Sequence, residues 1–241
     1  MASSLKGAFR RAYETGARLY LGPALRREWR YPPIQELREY VFQFEFAMRA
    51  VARHMPREVL DAGSGVSSWP HLLASCGIRV TATDEMHSYW GSMFNRHYHV
   101  IPDDITASKL DRQFDMVTCL GVLTTIGDDR PAIANLFRLV RPGGHLVLTI
   151  AYKEDEAVPN AYALPGASYG QGFRFIARQF SRAEVDAWLA AGGGEIEEQE
   201  YFRVFRGEYW AGGERLEPPV RVSVDEPHQY SALCIRKNSS L

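Results

Sequence analysis

Acidic and glycine residues meet in the sequence Val59-Leu60-Asp61-Ala62-Gly63-Ser64-Gly65, where an apolar run passes into a glycine-rich segment. The apolar run predicts a short buried strand, and the two glycines predict a sharp turn after it. Glycine has no Cβ, so a Gly-x-Gly turn lets the backbone come close to a ligand. Asp61 precedes the turn, where its carboxylate can face a bound ammonium group or a hydroxyl. The segment therefore predicts a small-molecule site at the end of a strand.

A second carboxylate lies at the spacing expected of a nucleotide-binding unit. Asp84 follows Gly65 by 19 residues and ends the alternating run 79–83. An acid about 20 residues beyond the glycines, at the end of the second strand, binds ribose hydroxyls in such βαβ units. Ser68 occupies the place of the third glycine of the dinucleotide fingerprint, so close packing around a diphosphate is not specified. The pattern favours a nucleoside ligand without a diphosphate.

The composition is that of an ordinary globular protein. Of 241 residues, 46% are hydrophobic and 24% are charged, which fits one α/β domain with a substantial core. A net charge of −1 gives no general attraction to nucleic acid. The three cysteines, Cys76, Cys119 and Cys234, lie far apart without zinc-site spacing, so we expect reduced thiols. Neither a signal-peptide pattern nor an apolar run of roughly 18 residues is found, and we expect a cytoplasmic protein.

Residues 1–50 predict two or three helices before the nucleotide-binding unit. The clearest helical spacing lies in residues 34–51, whose predicted apolar face consists of Leu37, Tyr40, Val41, Phe44 and Met48. The preceding part is locally basic, with arginines at positions 10, 11, 18, 26, 27 and 30. Such a basic segment can contact an anionic substrate or a membrane surface, but a solvated helix face is the more common role.

Strands and helices alternate from residue 56 to residue 152. The strands are predicted at 59–61, 80–83, 98–101, 114–120 and 145–151. The helices between them are predicted at 69–75, 86–94 and 130–140, with a turn at 141–144. This alternation is typical of a doubly wound, parallel sheet with helices on both faces.

The pattern changes after residue 152. Residues 153–178 are rich in Pro, Gly, Asn and aromatics without a sustained period, as in a lid or a binding loop. Ser181 and Glu184 match a capping box at the start of a helix that ends in a run of glycines. Two further strands are predicted at 195–205 and 229–237, around a Gly/Pro-rich connection. We predict one domain over 51–241, with a cofactor half at 56–152 and a substrate-side half at 153–241.

Two later motifs follow the glycine turn in a fixed order. Phe114-Asp115-Met116-Val117 opens the fourth predicted strand, and Leu139-Val140-Arg141-Pro142-Gly143-Gly144 leads into the fifth. Together with Val-Leu-Asp-x-Gly-x-Gly, they make residues 58–150 resemble the class I S-adenosylmethionine-dependent methyltransferases. The resemblance implies a Rossmann-like, mostly parallel sheet of about seven strands with the last strand antiparallel. It also implies S-adenosyl-L-methionine as the cofactor, and it implies that the helices of residues 1–50 form an N-terminal cap over the cofactor site.

The resemblance assigns cofactor contacts position by position. The methionine part of the cofactor would be held by Asp61, Gly63, Ser64 and Gly65. Asp84 would accept hydrogen bonds from the ribose hydroxyls.

The resemblance assigns the contacts to the adenine and to the transferred methyl group in the same way. Asp104, with the backbone of Ile105, would meet the adenine amino group, although neighbouring Asp103 fits the same role. Met86 would pack on the adenine face or belong to the core. Leu120, at the end of the fourth strand, would contribute backbone near the methyl sulfur.

Acceptor contacts are expected where the strands end. Ligands of such sheets bind at the carboxyl ends of the strands, and the loop before the antiparallel last strand lies at the same edge. The candidates are Tyr152, Tyr209 and Trp210, joined from the irregular stretch by Tyr169, Phe173 and Arg174. Each of them can instead be a structural aromatic or a surface charge.

An oxygen acceptor must lose a proton, and histidine is the usual general base near neutral pH. His228, before the final strand, is the candidate base, and His87 is an alternative near the adenosine side. His97 and His99 share a strand face, but without a third ligand in sequence reach a structural role is favoured over a metal site. Residues 153–155, Lys-Glu-Asp, stand where cation-dependent relatives carry Asp-Asn, which predicts a metal-independent reaction.

These features predict a methyltransferase acting on a small molecule, preferably at a hydroxyl oxygen of a natural product, sugar or phenol. One alternative is methyl transfer to a protein, peptide or lipid head group at a membrane, reached through the basic N-terminal segment. The other is a non-catalytic scaffold on the same fold, which the complete set Asp61, Gly63, Gly65 and Asp84 disfavours. A nucleic-acid partner is not expected, because no basic, aromatic-lined platform is evident.

Overall fold

The computed structural model describes residues 12–13, 15–16, 19–20, 40–65, 67–85, 100–168, 170–173 and 175–239. Several predictions concern positions outside these residues: most of the N-terminal cap, the helix at 86–94, the start of the third strand, and Met86, His87, His97, His99, Tyr169 and Arg174. Among the described residues, no helix has the length and apolar character needed to cross a membrane.

The described chain forms helices and strands in alternation. The helices are α1 (Tyr40–His54), α2 (Trp69–Ser75), α3 (Asp129–Leu139) and α4 (Arg182–Gly192). The strands are β1 (Glu58–Ala62), β2 (Arg79–Asp84), β3 (Val100–Pro102), β4 (Phe114–Leu120), β5 (Val140–Ala151), β6 (Gly194–Phe205), β7 (Arg215–Val222) and β8 (Tyr230–Lys237). Short 3₁₀ turns lie at Ile105–Ala107, Leu123–Thr125 and Ala161–Ala163.

All of these strands belong to one sheet, in the order β3-β2-β1-β4-β5-β8-β6-β7. The first five strands of the chain pair in parallel, whereas β8 runs antiparallel to both β5 and β6. The predicted Rossmann-like, mostly parallel sheet with an antiparallel last strand is confirmed. The carboxyl ends of β1, β2, β4 and β5 and the start of β8 therefore share one edge.

The sheet has one strand more than predicted, because the Gly/Pro-rich connection contains β7. Within the described part of the chain this strand pairs only with β6, at the end of the sheet, and it includes Pro218 and Pro219. Proline cannot donate to a ladder, so a run with two prolines argues against an interior strand. At an edge one side of the strand needs no partner, and the prolines are tolerated there.

Two cores cover the two faces of the sheet. One face packs against α1 and α2, with Phe46, Trp69 and Val147 fully or almost fully buried. The other face packs against α3 and α4, with Leu136, Leu148 and Trp188 buried. Side chains alternate between the two cores along each central strand, which is why these strands read as continuous apolar runs.

The apolar face predicted for α1 was partly wrong. Val41 is 71% exposed, whereas the core side of the helix consists of Phe42, Phe46, Ala47, Ala50 and Val51. Phe44 and Met48 pack partly against the same core, as predicted. The start of α1 is apolar on most sides, so spacing alone does not select the buried face, and contact with the sheet decides it.

The predicted turn before the fifth strand is a bulge inside β5. Phe114 lies opposite Val140 and Met116 lies opposite His145, so residues 141–144 face only Asp115. The Asp115 carboxylate accepts hydrogen bonds from the backbone N–H groups of residues 57 and 58 and from the Arg141 guanidinium. Burial raises the pKa of Asp115, but these hydrogen bonds outweigh burial and hold the pKa below its ordinary value.

Candidate active site

The glycine turn follows β1 directly. Gly63 and Gly65 have φ angles of +78° and +52°, in the left-handed region that favours glycine. A Cβ on Gly63 would lie 2.4 Å from a methyl carbon of Val122, so this glycine is required by space as well as by backbone angle. The N–H groups of Gly63 and Ser64 both donate to the Thr83 carbonyl, at 2.8 and 2.9 Å. The turn is thereby fixed against the end of β2.

Asp84 lies beside this turn, as its spacing predicted. Its Oδ2 accepts a hydrogen bond from the backbone N–H of Gly65 at 2.7 Å. Burial raises the pKa of the Asp84 carboxyl, the Gly65 hydrogen bond opposes the rise, and the charge of Glu85 adds to it. The carboxylate therefore stands half-buried at the strand ends, where a hydroxyl-bearing ligand could donate to it.

Asp61 lies deeper than Asp84, on the α1 face of the sheet. Its carboxylate is 3% exposed and accepts a hydrogen bond from the Thr118 hydroxyl at 2.7 Å. The indole N–H of Trp69 donates in turn to the Thr118 oxygen at 3.1 Å. Burial raises the pKa of Asp61 to about 7; the Thr118 hydrogen bond lowers it and the charge of Asp84 raises it further. A cationic group bound nearby would favour the ionised form.

Two buried oxygens near the turn lack a partner among the described residues. Ser64 is 3% exposed, and its hydroxyl has no hydrogen bond. Asp103 accepts from the Lys109 backbone N–H with Oδ1, but its buried Oδ2 is unsatisfied. Buried polar atoms of this kind are rare in folded proteins and are commonly satisfied by a ligand or by water. The residues present therefore fit a polar cofactor at this edge.

The predicted adenine contact, Asp104, is exposed and caps the short turn that follows β3. Its Oδ1 accepts hydrogen bonds from the backbone N–H and the hydroxyl of Thr106, both at 2.8 Å. Ile105 is buried at 8% exposure and packs in the α3 core. Asp103 is joined directly to the cofactor edge, because its N–H donates to the Asp84 carbonyl at 3.1 Å. The choice between Asp103 and Asp104 stays open.

A buried polar cluster lies against the end of β4, where Leu120 was predicted to approach the methyl group. Gly121 follows with a φ of +74°, and a Cβ there would lie 3.4 Å from both the Gln43 amide oxygen and the Tyr230 hydroxyl. Gln43 accepts a hydrogen bond from the Thr149 hydroxyl at 2.9 Å, and its amide nitrogen lies 3.4 Å from the Tyr230 oxygen. Residues from α1, β5 and β8 therefore surround the end of β4.

Sequence reasoning missed this cluster, although one signal was present. Gln43 is the single amide within the strongly apolar start of α1, Tyr-Val-Phe-Gln-Phe, and a buried amide there needs partners. Its partners Thr149 and Tyr230 lie 106 and 187 residues away, so sequence alone could not identify them.

His228 and Tyr152, predicted separately, lie in one ring cluster. Tyr152 is fully buried and donates its hydroxyl to Glu154 at 2.7 Å; burial and this bond raise the pKa of its phenol. The His228 ring stacks on Tyr152 with centroids 5.8 Å apart and lies 4.7 Å from Tyr201. Its Nδ1 lies 2.8 Å from the Glu226 carbonyl, which can only accept, so Nδ1 carries the proton. In the neutral ring the lone pair then lies on Nε2, an atom that is buried and without a partner among the described residues.

Phe173 and Trp210 are brought together by a ring that was not predicted, Tyr162. The Tyr162 centroid lies 5.6 Å from Phe173 and 5.3 Å from Trp210. Phe175 stacks on Phe173 at 5.1 Å. Trp210 is buried at 6% exposure, whereas Phe173 is 43% exposed. The four rings form an aromatic cluster between the irregular stretch and the loop after β6.

Tyr209 lies apart from that cluster, at a charged surface. The Lys153 ammonium sits 4.3 Å from the centre of the Tyr209 ring. The Tyr209 hydroxyl donates to Glu156 at 3.1 Å, and this hydrogen bond is the main reason that the pKa of the phenol is raised. Tyr209 and Trp210 are neighbours in sequence but face different surroundings.

The family of the chain follows from comparison with known proteins. A family model described as a methyltransferase domain matches residues 27–199, which is more than half of the chain. A ubiquinone biosynthesis O-methyltransferase of Pseudomonas fluorescens is 27% identical over 151 residues. That match covers 57% of this chain and 64% of the length of the Pseudomonas protein.

Solved structures agree on the fold. The 1,6-didemethyltoxoflavin-N1-methyltransferase of Burkholderia thailandensis, with bound 1,6-didemethyltoxoflavin and S-adenosylhomocysteine, has a TM-score of 0.55 and 16% identity. The similarity covers 99% of this chain and 89% of that chain. The N-methyltransferase NodS of Bradyrhizobium japonicum, in complex with S-adenosylhomocysteine, has a TM-score of 0.54 and 20% identity, covering 89% and 97% of the two chains. At these identities the likeness concerns the fold.

The glycine turn, the carboxylates at the ends of β1 and β2, the strand order and the family match lead to one assignment. The chain belongs to the methyltransferase domain family, as a class I S-adenosylmethionine-dependent methyltransferase.

Proposed function

We propose that this protein transfers the methyl group of S-adenosylmethionine to a small molecule, preferably at a hydroxyl oxygen, without a metal ion in the reaction. The observation that carries the proposal is the cradle formed by the Gly63–Gly65 turn, Asp61 and Asp84, within a fold of this family. The buried, unpartnered Ser64 hydroxyl supports a polar ligand at the same place.

The cofactor contacts are proposed as follows. Asp61, Ser64 and the glycine turn hold the amino-acid part, where the ammonium group compensates the buried Asp61 carboxylate. Asp84 accepts from the ribose hydroxyls. Asp103 or Asp104 meets the adenine amino group, with Ile105 packed beside it.

Oxygen is preferred as the acceptor atom because the matching Pseudomonas relatives are O-methyltransferases at up to 27% identity. The N-methyltransferases among the solved structures share the fold at lower identity. The aromatic cluster of Tyr162, Phe173, Phe175 and Trp210 favours a phenol or another flat acceptor, because such rings stack well on aromatic side chains.

Methyl transfer from a sulfonium is an in-line displacement. The sulfur–methyl bond breaks as the oxygen–methyl bond forms, the sulfonium becomes a neutral thioether, and the hydroxyl proton passes to a base. Positioning of the acceptor supplies much of the rate. His228 is the proposed base, because its Nε2 lone pair is unengaged among the described residues.

The deciding experiment is calorimetric titration with S-adenosylmethionine and, separately, with NAD. Wild-type protein should bind the sulfonium cofactor with a Kd in the micromolar range and should not bind NAD. Asp84→Ala should weaken cofactor binding at least about tenfold, which corresponds to roughly 1.4 kcal/mol. Asp186→Ala is the matched control, because this carboxylate is exposed on α4, and it should bind like wild type. Absence of cofactor binding, or a preference for NAD, would contradict the proposal.

The acceptor class is tested by incubating the protein with methyl-labelled S-adenosylmethionine and a panel of phenols, catechols, sugars and amines. Label on a hydroxyl oxygen supports the proposal, and label only on nitrogen would show that the acceptors are amines.

Deleting residues 1–30 addresses the membrane alternative. Loss of binding to anionic vesicles with small-molecule turnover intact would favour a head-group or peptide acceptor.

A further inference from the structure

We propose that His54, Glu197 and Cys234 form a zinc-binding site at the edge of the sheet opposite the glycine turn. The imidazole, carboxylate and thiol ligand atoms of these residues all lie within 4.8 Å of one another. Zn²⁺ takes histidine nitrogen, cysteine thiolate and carboxylate oxygen as ligands. Three protein ligands would leave a fourth position for water. The inference does not depend on which molecule is methylated.

Three distant segments supply the ligands. His54 is the last residue of α1, and Cys234 is buried in β8 on the face that packs against α1. Glu197 occupies a bulge in β6, because Ile196 pairs with Ile235 while Glu198 already pairs with Cys234. Ile196 and Ile235 face the core on the α3–α4 side, so the residue after Ile196 faces the side of Cys234. The bulge adds Glu198 on this side as well, where it meets Arg49 of α1.

The distances fit a tetrahedral ion after small side-chain shifts. With metal–ligand bonds of about 2.0–2.3 Å, ligand atoms in such a site lie roughly 3.3–3.7 Å apart. His54 Nε2 lies 3.3 Å from Glu197 Oε2 and 4.0 Å from Cys234 Sγ. The Glu197 carboxylate and the Cys234 thiol lie within 4.8 Å of each other, so side-chain shifts of up to about 1 Å would bring all three ligand atoms into this range.

His145 supports the proposed ligands from beside them. Its ring stacks on His54 with centroids 3.6 Å apart, and its Nε2 lies 3.2 Å from the Glu197 carboxylate. A carboxylate held by a second histidine is the kind of outer contact that orients metal ligands.

The neighbouring arginines leave the Glu197 carboxylate available to bind an ion. Glu198, next in the chain, is engaged by Arg49 and Arg53 at 2.8 and 2.6 Å. Glu197 has a weaker contact with Arg236, at 3.9 Å, and otherwise faces the two histidines.

An entry path is present. His54 and His145 line a surface cleft of about 540 Å³, whose other walls include Arg57, Glu58 and Pro142. Through this cleft a hydrated ion can reach the imidazoles without opening the core. A bound ion would join the end of α1 to β6 and β8, so its role would be structural and remote from methyl transfer.

The test uses the 241-residue protein, stripped of metal with EDTA and titrated with Co²⁺. Co²⁺ replaces Zn²⁺ in such sites and reports thiolate ligation by an intense near-ultraviolet charge-transfer band. Wild type should bind one equivalent with this band, and Zn²⁺ should displace the cobalt. Cys234→Ser should lose the band, whereas Cys76→Ser, which changes an exposed cysteine elsewhere, should keep it. No band in wild type, or a band that persists in Cys234→Ser, would overturn the proposal.

His54→Gln and Glu197→Gln provide a second readout in case Cys234→Ser does not fold. Both residues are partly exposed, so circular dichroism should show folded variants. Each should bind Zn²⁺ at least about tenfold more weakly than wild type in competition with a chromophoric chelator. Unchanged zinc affinity in both folded variants would mean that Glu197 merely joins two imidazoles by hydrogen bonds, and the site would be rejected.

Discussion

At the scale of single residues, the site depends on carboxylates that the fold keeps away from water. Asp61 is buried at the glycine turn and Asp84 is half-buried beside it, and burial raises the cost of ionising each carboxyl group. The protein therefore carries an electrostatic strain that a bound cation at this edge would relieve. Perturbed carboxylates of this kind are common at functional sites.

Asp61→Asn should remove a pH dependence of stability. The folded-state pKa of about 7 lies above the ordinary value, so the folded chain retains a proton that the unfolded chain loses between pH about 4 and about 7. The free energy of unfolding of wild type should fall as pH rises through this window, by a few kcal/mol at most, at about 1.4 kcal/mol per pKa unit. Urea unfolding at several pH values measures this change in the free energy of unfolding.

The variant should show a flatter profile and weaker S-adenosylmethionine binding. Asp186→Asn, at an exposed position on α4, should keep the wild-type profile. Parallel pH profiles for Asp61→Asn and wild type would show that Asp61 does not titrate in this range.

His228→Gln should separate proton removal from cofactor binding. The amide retains polarity but supplies no base, so turnover of an oxygen acceptor found in the panel should fall by about 10²- to 10⁴-fold. Cofactor affinity by calorimetry should stay within about twofold of wild type, since His228 packs on Tyr152 and Tyr201 rather than on the glycine turn. Unchanged turnover would assign the ring a structural role.

At the scale of elements, α3 and α4 are joined by a buried polar network. Arg178 donates to Asp129 at the start of α3 and to Glu184 in the first turn of α4, the latter at 2.9 Å. The Trp188 indole N–H also donates to Asp129, at 2.6 Å. Glu184 completes the predicted capping box by accepting from the Ser181 backbone N–H. One guanidinium therefore connects two helix starts.

Arg178→Ala should destabilise the protein strongly. Among the described residues, Asp129, whose side chain is 9% exposed, would keep only the Trp188 N–H as partner. Removing one member of a buried ion pair costs roughly 3–5 kcal/mol. We expect a loss of about 2–4 kcal/mol in the free energy of unfolding, because Trp188 remains. Arg130→Ala is the control; this exposed arginine pairs with Asp128, and its loss should change stability little. Equal losses in the free energy of unfolding for the two variants would contradict the stabilising role proposed for the Arg178 network.

At the scale of the whole molecule, α1 runs across the sheet from the cofactor edge to the opposite edge. Gln43, near its start, reaches the end of β4, while Arg49 and Arg53 pair with Glu198 and Glu200 of β6 near its end. The position of Gln43 beside Gly121 therefore depends on contacts made more than a helical turn away.

The double variant Arg49→Ala/Arg53→Ala should loosen α1. Both arginines are partly exposed, so the ion pairs are screened and we expect about 1 kcal/mol in local opening. Amide hydrogen exchange in α1 should rise roughly five- to tenfold, with α3 unchanged. Arg79→Ala, an exposed arginine near Glu58, should leave α1 exchange unaltered. Uniform acceleration in both helices would indicate global destabilisation instead.

The sequence by itself determined the parts that local geometry dictates. The glycine turn, Asp84, the central strands and the α4 capping box follow from short spacings that a βα unit repeats, and the structure places them as predicted. The buried face of α1, the edge strand β7 and the β5 bulge were not predicted. Those depend on which surface meets the sheet and which side of a strand lacks a partner.

Only the tertiary structure decided which distant residues meet. Gln43, Thr149 and Tyr230 gather at Gly121, and His54 meets Cys234 across 180 residues, because a sheet brings strand ends together regardless of their separation in the chain. Cysteine spacing could not predict the proposed zinc ligands, which come from a helix end, a bulge and a buried strand. Sequence spacing predicts local turns, whereas strand order and register decide the long-range contacts.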